Sequence, residues 1–271
     1  MTTKTNRIDA RFSELASAGR TGLIPFITAG DPSIEATVPV MHALVAAGAD
    51  VLELGVPFSD PMADGPVIQQ SSERAIARGV GSRRVFEFVR EFRKTDTTTP
   101  IVLMGYLNPV EIYGVERYAK DAVDAGVDGL LLVDLPPEES GETQAILREH
   151  GLHQICLAAP TSGNERIARL VSTSQGYLYY VSFAGVTGAA RLDAASVKNA
   201  IADIKKLGDL PIAVGFGVRD AESAKALAEN ADAVVIGSAL VQLLAESKNV
   251  DDAARRAGEF LAPIRAALGR G

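Results

Sequence analysis

The chain has 271 residues, of which 47% are hydrophobic and 23% charged, with a net charge of −7 at pH 7. That is ordinary globular composition, and the length is enough to bury a sizeable core without staples. The single cysteine, Cys156, excludes an internal disulfide and a four-cysteine zinc site, the acidic balance argues against a general nucleic-acid binder, and the apolar runs are far too short to span a membrane.

The first nine residues carry no apolar signal-peptide core, so a cytoplasmic protein is expected. Residues 8–18 then read as an amphipathic helix. Short β-branched runs follow at 23–28, 51–55, 101–105, 129–133, 154–158, 177–182, 212–215 and 233–237. They are apolar almost throughout, as strands covered on both faces are. Helical spacing fills 35–47, 114–125, 138–150, 164–172, 196–207 and 221–230. A weak echo marks the handover from helix to strand: Ala47-Gly48-Ala49-Asp50-Val51-Leu52, Ala125-Gly126-Val127-Asp128-Gly129-Leu130 and Glu229-Asn230-Ala231-Asp232-Ala233-Val234. Gly or Asn stands where each helix would end, because these residues enter the left-handed cap conformation cheaply. Strand–helix alternation of this kind predicts an α/β fold, a single (β/α)8 TIM barrel over 1–271 with an extra N-terminal helix. Roughly 250 residues is typical of that fold. The rival architecture is an open doubly wound sheet, which binds ligands where the strand order reverses.

In a barrel the chemistry lies at the C-terminal strand ends. The second run ends Val51-Leu52-Glu53-Leu54-Gly55, and Glu53 is a carboxyl inside an otherwise apolar strand. Burial raises the pKa of such a group, and a carboxyl near neutrality both gives and takes protons. A structural ion pair with an arginine is the alternative. The segment Val56-Pro57-Phe58-Ser59-Asp60-Pro61-Met62-Ala63-Asp64-Gly65-Pro66 reads as a long, shaped loop. It can fold Asp64 back over the same mouth, although Asp beside Pro and Gly is also a common turn residue. Glycines close three consecutive strand ends, at Gly185 and Gly188, Gly215 and Gly217, and Gly237 before Ser238. Such turns let backbone N–H groups and a helix N-terminus meet a phosphate. Tyr179 is either a packed β-former or a pocket residue. Phe26, Tyr106 and Phe216 either line a pocket for a flat ligand or fill the upper barrel.

Absences narrow the chemistry. His42, His150 and His153 all lie away from the C-terminal strand ends, and no lysine falls on a predicted strand. A catalytic metal, a Schiff base and a serine triad are therefore not expected. What remains is carboxylate acid–base chemistry on a phosphorylated small molecule.

These residues together resemble the tryptophan synthase α subunit family. The resemblance is carried by Pro25-Phe26-Ile27-Thr28-Ala29-Gly30-Asp31-Pro32, the 52–66 segment, Asp134-Leu135-Pro136-Pro137-Glu138-Glu139, Ala158-Ala159-Pro160-Thr161, Gly185-Val186-Thr187-Gly188 and Gly215-Phe216-Gly217. It covers nearly the whole chain, and the 52–66 motif is its most specific part. It implies a TIM barrel that cleaves indole-3-glycerol phosphate to indole and glyceraldehyde 3-phosphate. By that resemblance Glu53 would be the acid–base catalyst, and Asp64 would accept a hydrogen bond from the indole N–H. Tyr179 would lie beside the indole, and Phe26, Tyr106, Thr187 and Phe216 would contact substrate. Gly188, Gly217, Gly237 and Ser238 would hold the phosphate. Thr187 is also expected to couple loop closure to Asp64. The resemblance further implies a β subunit that carries pyridoxal phosphate, an α2β2 assembly, and no cofactor or metal in this chain. One departure stands out: Phe183-Ala184 occupy the place where many members carry a basic residue.

Two other readings compete. One is a different phosphate-binding barrel, such as indole-glycerol-phosphate synthase or a sugar-phosphate isomerase; the synthase would need barrel lysines that are not placed here. The other is an idle barrel that only activates a β chain, which has no use for two costly carboxylates.

Overall fold

A computed structural model describes residues 5–181, 194–215 and 217–269. Eight parallel strands close into a barrel in sequential order. They are β1 (Gly22–Thr28), β2 (Leu52–Gly55), β3 (Ile101–Gly105), β4 (Gly129–Leu132), β5 (His153–Ala158), β6 (Leu178–Val181), β7 (Ile212–Gly215) and β8 (Ala233–Ile236). The helices are α1 (Arg7–Ser17), α2 (Thr37–Ala46), α3 (Pro66–Ala77), α4 (Ser82–Arg93), α5 (Leu107–Tyr113) and α6 (Val115–Ala125). They continue as α7 (Gly141–Glu149), α8 (Asn164–Thr173), α9 (Ala194–Lys205), α10 (Ala221–Ala228), α11 (Ser238–Ala245) and α12 (Val250–Ala267). The closed order rules out the open doubly wound sheet. Every predicted strand is present to within a residue or so at its ends, and the predicted loop after β2 stops at Gly65, because Pro66 opens α3 at its first position.

The continuous apolar strands have a physical reason. Alternate side chains serve two separate cores. Ile24, Val51, Val102, Leu131, Ile155, Tyr177, Tyr179, Ala213 and Val235 fill the barrel interior. Leu23, Leu52, Ile101, Leu130, Cys156, Leu178, Val214 and Val234 pack outward against the helices. Both faces exclude water, so both are apolar. Helix α1 seals one end: Ile8, Phe12 and Leu15, at helical spacing, join the interior core.

The echo in the sequence builds the N-terminal rim. Gly48 and Gly126 both adopt φ of +99°. The Asp two positions on accepts an N–H at the start of a neighbouring strand: Asp50 from Leu23 at 2.9 Å, Asp128 from Ile101 at 2.8 Å and Asp232 from Ile212 at 2.8 Å. A cation meets each carboxylate. Arg20 and Arg265 reach Asp50 at 2.6 and 3.0 Å, Arg7 and Arg93 reach Asp128 at 2.7 and 3.0 Å, and Lys205 reaches Asp232 at 2.9 Å. The glycines are needed a second time here. A Cβ on Gly48 would come within 2.6 Å of Arg265, and one on Gly126 within 2.8 Å of Arg93.

Removing one charge from such a buried set leaves its partners desolvated and unpaired. Asp128→Asn is therefore expected to lower the unfolding free energy by about 3 kcal/mol in a urea titration. A loss under about 0.5 kcal/mol, the size of an ordinary surface substitution, would contradict this account of the rim.

Candidate active site

Strand parity determines where Glu53 points. Val51 is an interior residue and Leu52 an outward one, so Glu53 faces the barrel interior, level with Phe26 and Val102 in the neighbouring strands. It has no exposure. The hydroxyl of Tyr177 donates to its Oε1 at 2.7 Å, and its Oε2 has no hydrogen-bond partner among the described residues. Burial pushes the carboxyl up to about 7, against the smaller opposing effect of the Tyr177 bond. The group is poised to exchange a proton at neutral pH. Among the described residues no arginine pairs with it, so the structural ion pair is not formed there.

The 56–65 loop follows β2 and brings Asp64 to a second fixed point. The Tyr106 hydroxyl donates to Asp64 Oδ2 at 3.1 Å and accepts the Ala63 N–H at 3.0 Å. Tyr106 is held in turn by the Phe58 ring, 5.1 Å away between centroids. Asp134 also acts here: its Oδ1 accepts the Leu107 N–H at 2.7 Å, at the start of α5 beside Tyr106. Burial pushes Asp64 up to about 6, with the Tyr106 bond pulling the other way.

Tyr179 feels the charge of both carboxyls. Its buried phenol is pushed well above its usual pKa, first by burial and then by the charges of Glu53 and Asp64, so both carboxyls lie within electrostatic reach of it. The glycines beside the site make room for rings. A Cβ on Gly215 would lie 2.0 Å from the Tyr179 hydroxyl, and one on Gly55 would lie 2.6 Å from the Phe26 ring. Phe26 is also 3.5 Å from where a Gly237 Cβ would sit. Phe26 therefore lies over the strand ends of β2 and β8, in the mouth.

Gly217 takes φ of +86° two residues after β7. Gly237 is the N-cap of α11, Ser238 is its first residue, and no side chain caps it. The first N–H groups of α11 thus open at the C-terminal end of the barrel, where an anion is favoured. Thr187, Gly188 and Phe216, with Phe183, Ala184 and Gly185, lie outside the described residues. No described group of three or more His, Cys, Asp and Glu side chains is arranged to hold a metal. Cys156 is buried in β5, and burial pushes its thiol up to about 11, as suits a core residue.

Sequence reasoning missed Tyr177 as the partner of Glu53. Its signal was parity: it stands two residues before Tyr179 and so shares its inward face.

The tryptophan synthase alpha chain family profile matches residues 12–267. A tryptophan synthase alpha chain from Xanthomonas axonopodis pv. citri is 62% identical over 266 residues, covering 98% of this chain and 99% of its own length. One from Xanthomonas oryzae pv. oryzae is 63% identical over 263 residues, 97% of this chain and 98% of its own. Among solved structures, tryptophan synthase subunit alpha from Legionella pneumophila superposes with a TM-score of 0.91 at 46% identity, covering 98% of this chain and 99% of that one. A chain of Mycobacterium tuberculosis tryptophan synthase gives 0.89 at 35%, covering 99% and 100%.

The buried carboxyl has a measurable cost. Glu53 holds its proton to about 7 in the fold, against 4.5 for a free glutamic acid. Between those values the unfolded chain binds fewer protons than the folded one, so stability falls as pH rises through that window. Glu53→Gln has no such proton to lose. Its stability relative to wild type is expected to rise by on the order of 2 kcal/mol from pH 5 to pH 8 in urea unfolding. A difference that stays constant or shrinks would contradict the raised pKa.

Proposed function

The chain belongs to the tryptophan synthase alpha chain family, and on that premise we propose that Glu53 and Asp64 divide the work of its reaction. That reaction cleaves indole-3-glycerol phosphate to indole and glyceraldehyde 3-phosphate. It serves a β subunit, which takes the indole and carries the pyridoxal phosphate; the alpha chain has no cofactor of its own, and the family assembly is a heterotetramer. No described helix is long and apolar enough to cross a membrane. The cytoplasm is the proposed location, and one barrel domain over 1–271 the proposed unit of function.

Breaking a carbon–carbon bond to an aromatic ring requires somewhere for the electrons to go. In the proposed sequence Glu53, protonated, gives its proton to indole C3. The ring becomes a cationic indolenine. Asp64, ionised, accepts a hydrogen bond from the ring N–H and stabilises that cation. Glu53, now a carboxylate, takes the proton from the glycerol hydroxyl next to the ring. The carbonyl of glyceraldehyde 3-phosphate forms, the bond to C3 breaks, and its electron pair restores the indole. The proton taken returns Glu53 to its starting state. One carboxyl performs both transfers, which requires a pKa near the working pH.

The observation that carries this reading is a carboxyl with no exposure and a pKa of about 7 inside the barrel. Tyr179, Phe26, Tyr106 and Phe216 are proposed to flank the indole. Gly188, Gly217, Gly237 and Ser238 are proposed to hold the phosphate, with α11 directing its N-terminus at it. Thr187 is proposed to tie a closing loop to Asp64.

Indole release by the chain with its β subunit tests the reading. Glu53→Gln is expected to lower kcat by about a thousandfold and Asp64→Asn by about a hundredfold, in the range of a lost acid–base group and a lost charge-stabilising group. Wild-type kcat in Glu53→Gln would overturn the assignment of the proton transfers to Glu53. The pH profile carries a second signature. Glu53 must start protonated, so kcat/KM is expected to fall as pH rises past about 7. Asp64 must be ionised, so it is expected to fall as pH drops below about 6. A profile flat from pH 5 to 9 would contradict both roles.

A further inference from the structure

One side chain ties the 56–65 loop back to the helix that follows it. Gln69 is the fourth residue of α3. Its Nε2 donates to the Asp64 carbonyl at 2.8 Å and lies 3.5 Å from the Pro61 carbonyl. This contact satisfies none of the unpaired N–H groups at the start of α3. The unpaired groups at a helix N-terminus are N–H donors, which an acceptor satisfies. Gly65 at the cap offers no side chain, and no side-chain cap is formed. The amide hydrogens of Gln69 go instead to carbonyls of the loop ahead.

Helix α3 is firmly fastened. Arg74 makes two bonds to the buried Asp31 after β1, Nε to Oδ1 and Nη2 to Oδ2, both 2.8 Å. The Ser71 and Thr28 hydroxyls, both buried, are 2.6 Å apart and join α3 to the last residue of β1. Strand β1 pairs directly with β2, so the anchor of α3 is the neighbour of the strand bearing Glu53. The Asp64 main chain is thus held through Gln69 to the barrel rim. Its N–H donates to the Pro61 carbonyl at 3.0 Å, and its carboxylate takes the Tyr106 hydroxyl. Tyr106 orients the carboxylate, while Gln69 fixes the backbone from which it projects.

We propose that Gln69 is a positioning residue for the cleavage reaction, its amide holding the Asp64 and Pro61 carbonyls so that the Asp64 carboxylate meets the ring N–H of the substrate. This rests on the role assigned to Asp64. A misplacement of 1 Å can cost about a hundredfold in rate, and losing one of several ties should cost less, about tenfold.

The test measures indole release from indole-3-glycerol phosphate by the chain with its β subunit, for wild type, Gln69→Glu, Gln69→Lys and Asp64→Asn. Gln69→Glu keeps the shape and loses the donor. As an acid in the first turn of α3 it does not weaken the helix, so the thermal midpoint is expected to hold. Its kcat is expected to fall about tenfold with KM changed less than about twofold, and Gln69→Lys, which retains a donor, to recover most of the loss. Equal losses in the Glu and Lys variants overturn the positioning role, since the donor is then not what matters. So does wild-type kcat in Gln69→Glu when Asp64→Asn is inactive. Wild-type kcat in Asp64→Asn instead removes the Asp64 assignment, and the Gln69 proposal with it.

Discussion

A carboxyl group sealed from water must find a partner or keep its proton. Glu53 does both in part. It takes one hydrogen bond from Tyr177 and is fully buried, so its proton is released only near neutrality. The rest of the molecule can be read as the enclosure that makes this possible. Strand closure removes water from the sides, and α1 removes it from below. The Phe12 ring of α1 lies 5.4 Å from the Tyr177 ring, so the plug packs directly on the residue that holds Glu53. A helix that looks like a decorative extension in the sequence is part of the enclosure of the catalytic carboxyl.

The two ends of the barrel have opposite tasks. At the N-terminal rim, three buried or half-buried aspartates each clasp a neighbouring strand and a cation, and glycines step aside for the arginine side chains. This end holds its carboxylates in ion pairs that tie neighbouring strands together. At the C-terminal end, space is the design. Gly55 and Gly215 yield to the rings of Phe26 and Tyr179, and the loop after β2 is held over the mouth by Tyr106 and Gln69. Conformational freedom is the reason for glycine at positions 48, 126 and 217, and close approach of a ring is the reason at 55 and 215.

The barrel was legible in the sequence because its strands obey one local rule, short β-branched runs between helical periods. Glu53 was legible because a charge in such a run breaks the rule. The Asp64 loop was legible from its length and its prolines. Other features depend on contacts across the chain. Tyr177 reaches Glu53 from 124 positions away, a pairing that exists only once the barrel has closed. The echo Ala-Gly-Ala-Asp and Ala-Gly-Val-Asp announced turns, but not that each Asp would cap a different strand and gather arginines from distant parts of the chain. The glycines after β6 to β8 suggested a phosphate cradle, and Gly215 has a steric duty that spacing alone does not reveal.

All of this depends on Glu53 keeping its proton to neutrality within the fold, and the carboxyl itself can be watched. Carbon-13 glutamate labelling, with Glu53→Gln used to identify the resonance, gives the Glu53 side-chain carbonyl shift from pH 4 to pH 9. A titration midpoint near 7 is expected, moving higher in Tyr177→Phe because the bond that favours the ionised form is gone. A midpoint near the ordinary 4.5, unmoved by Tyr177→Phe, would contradict it.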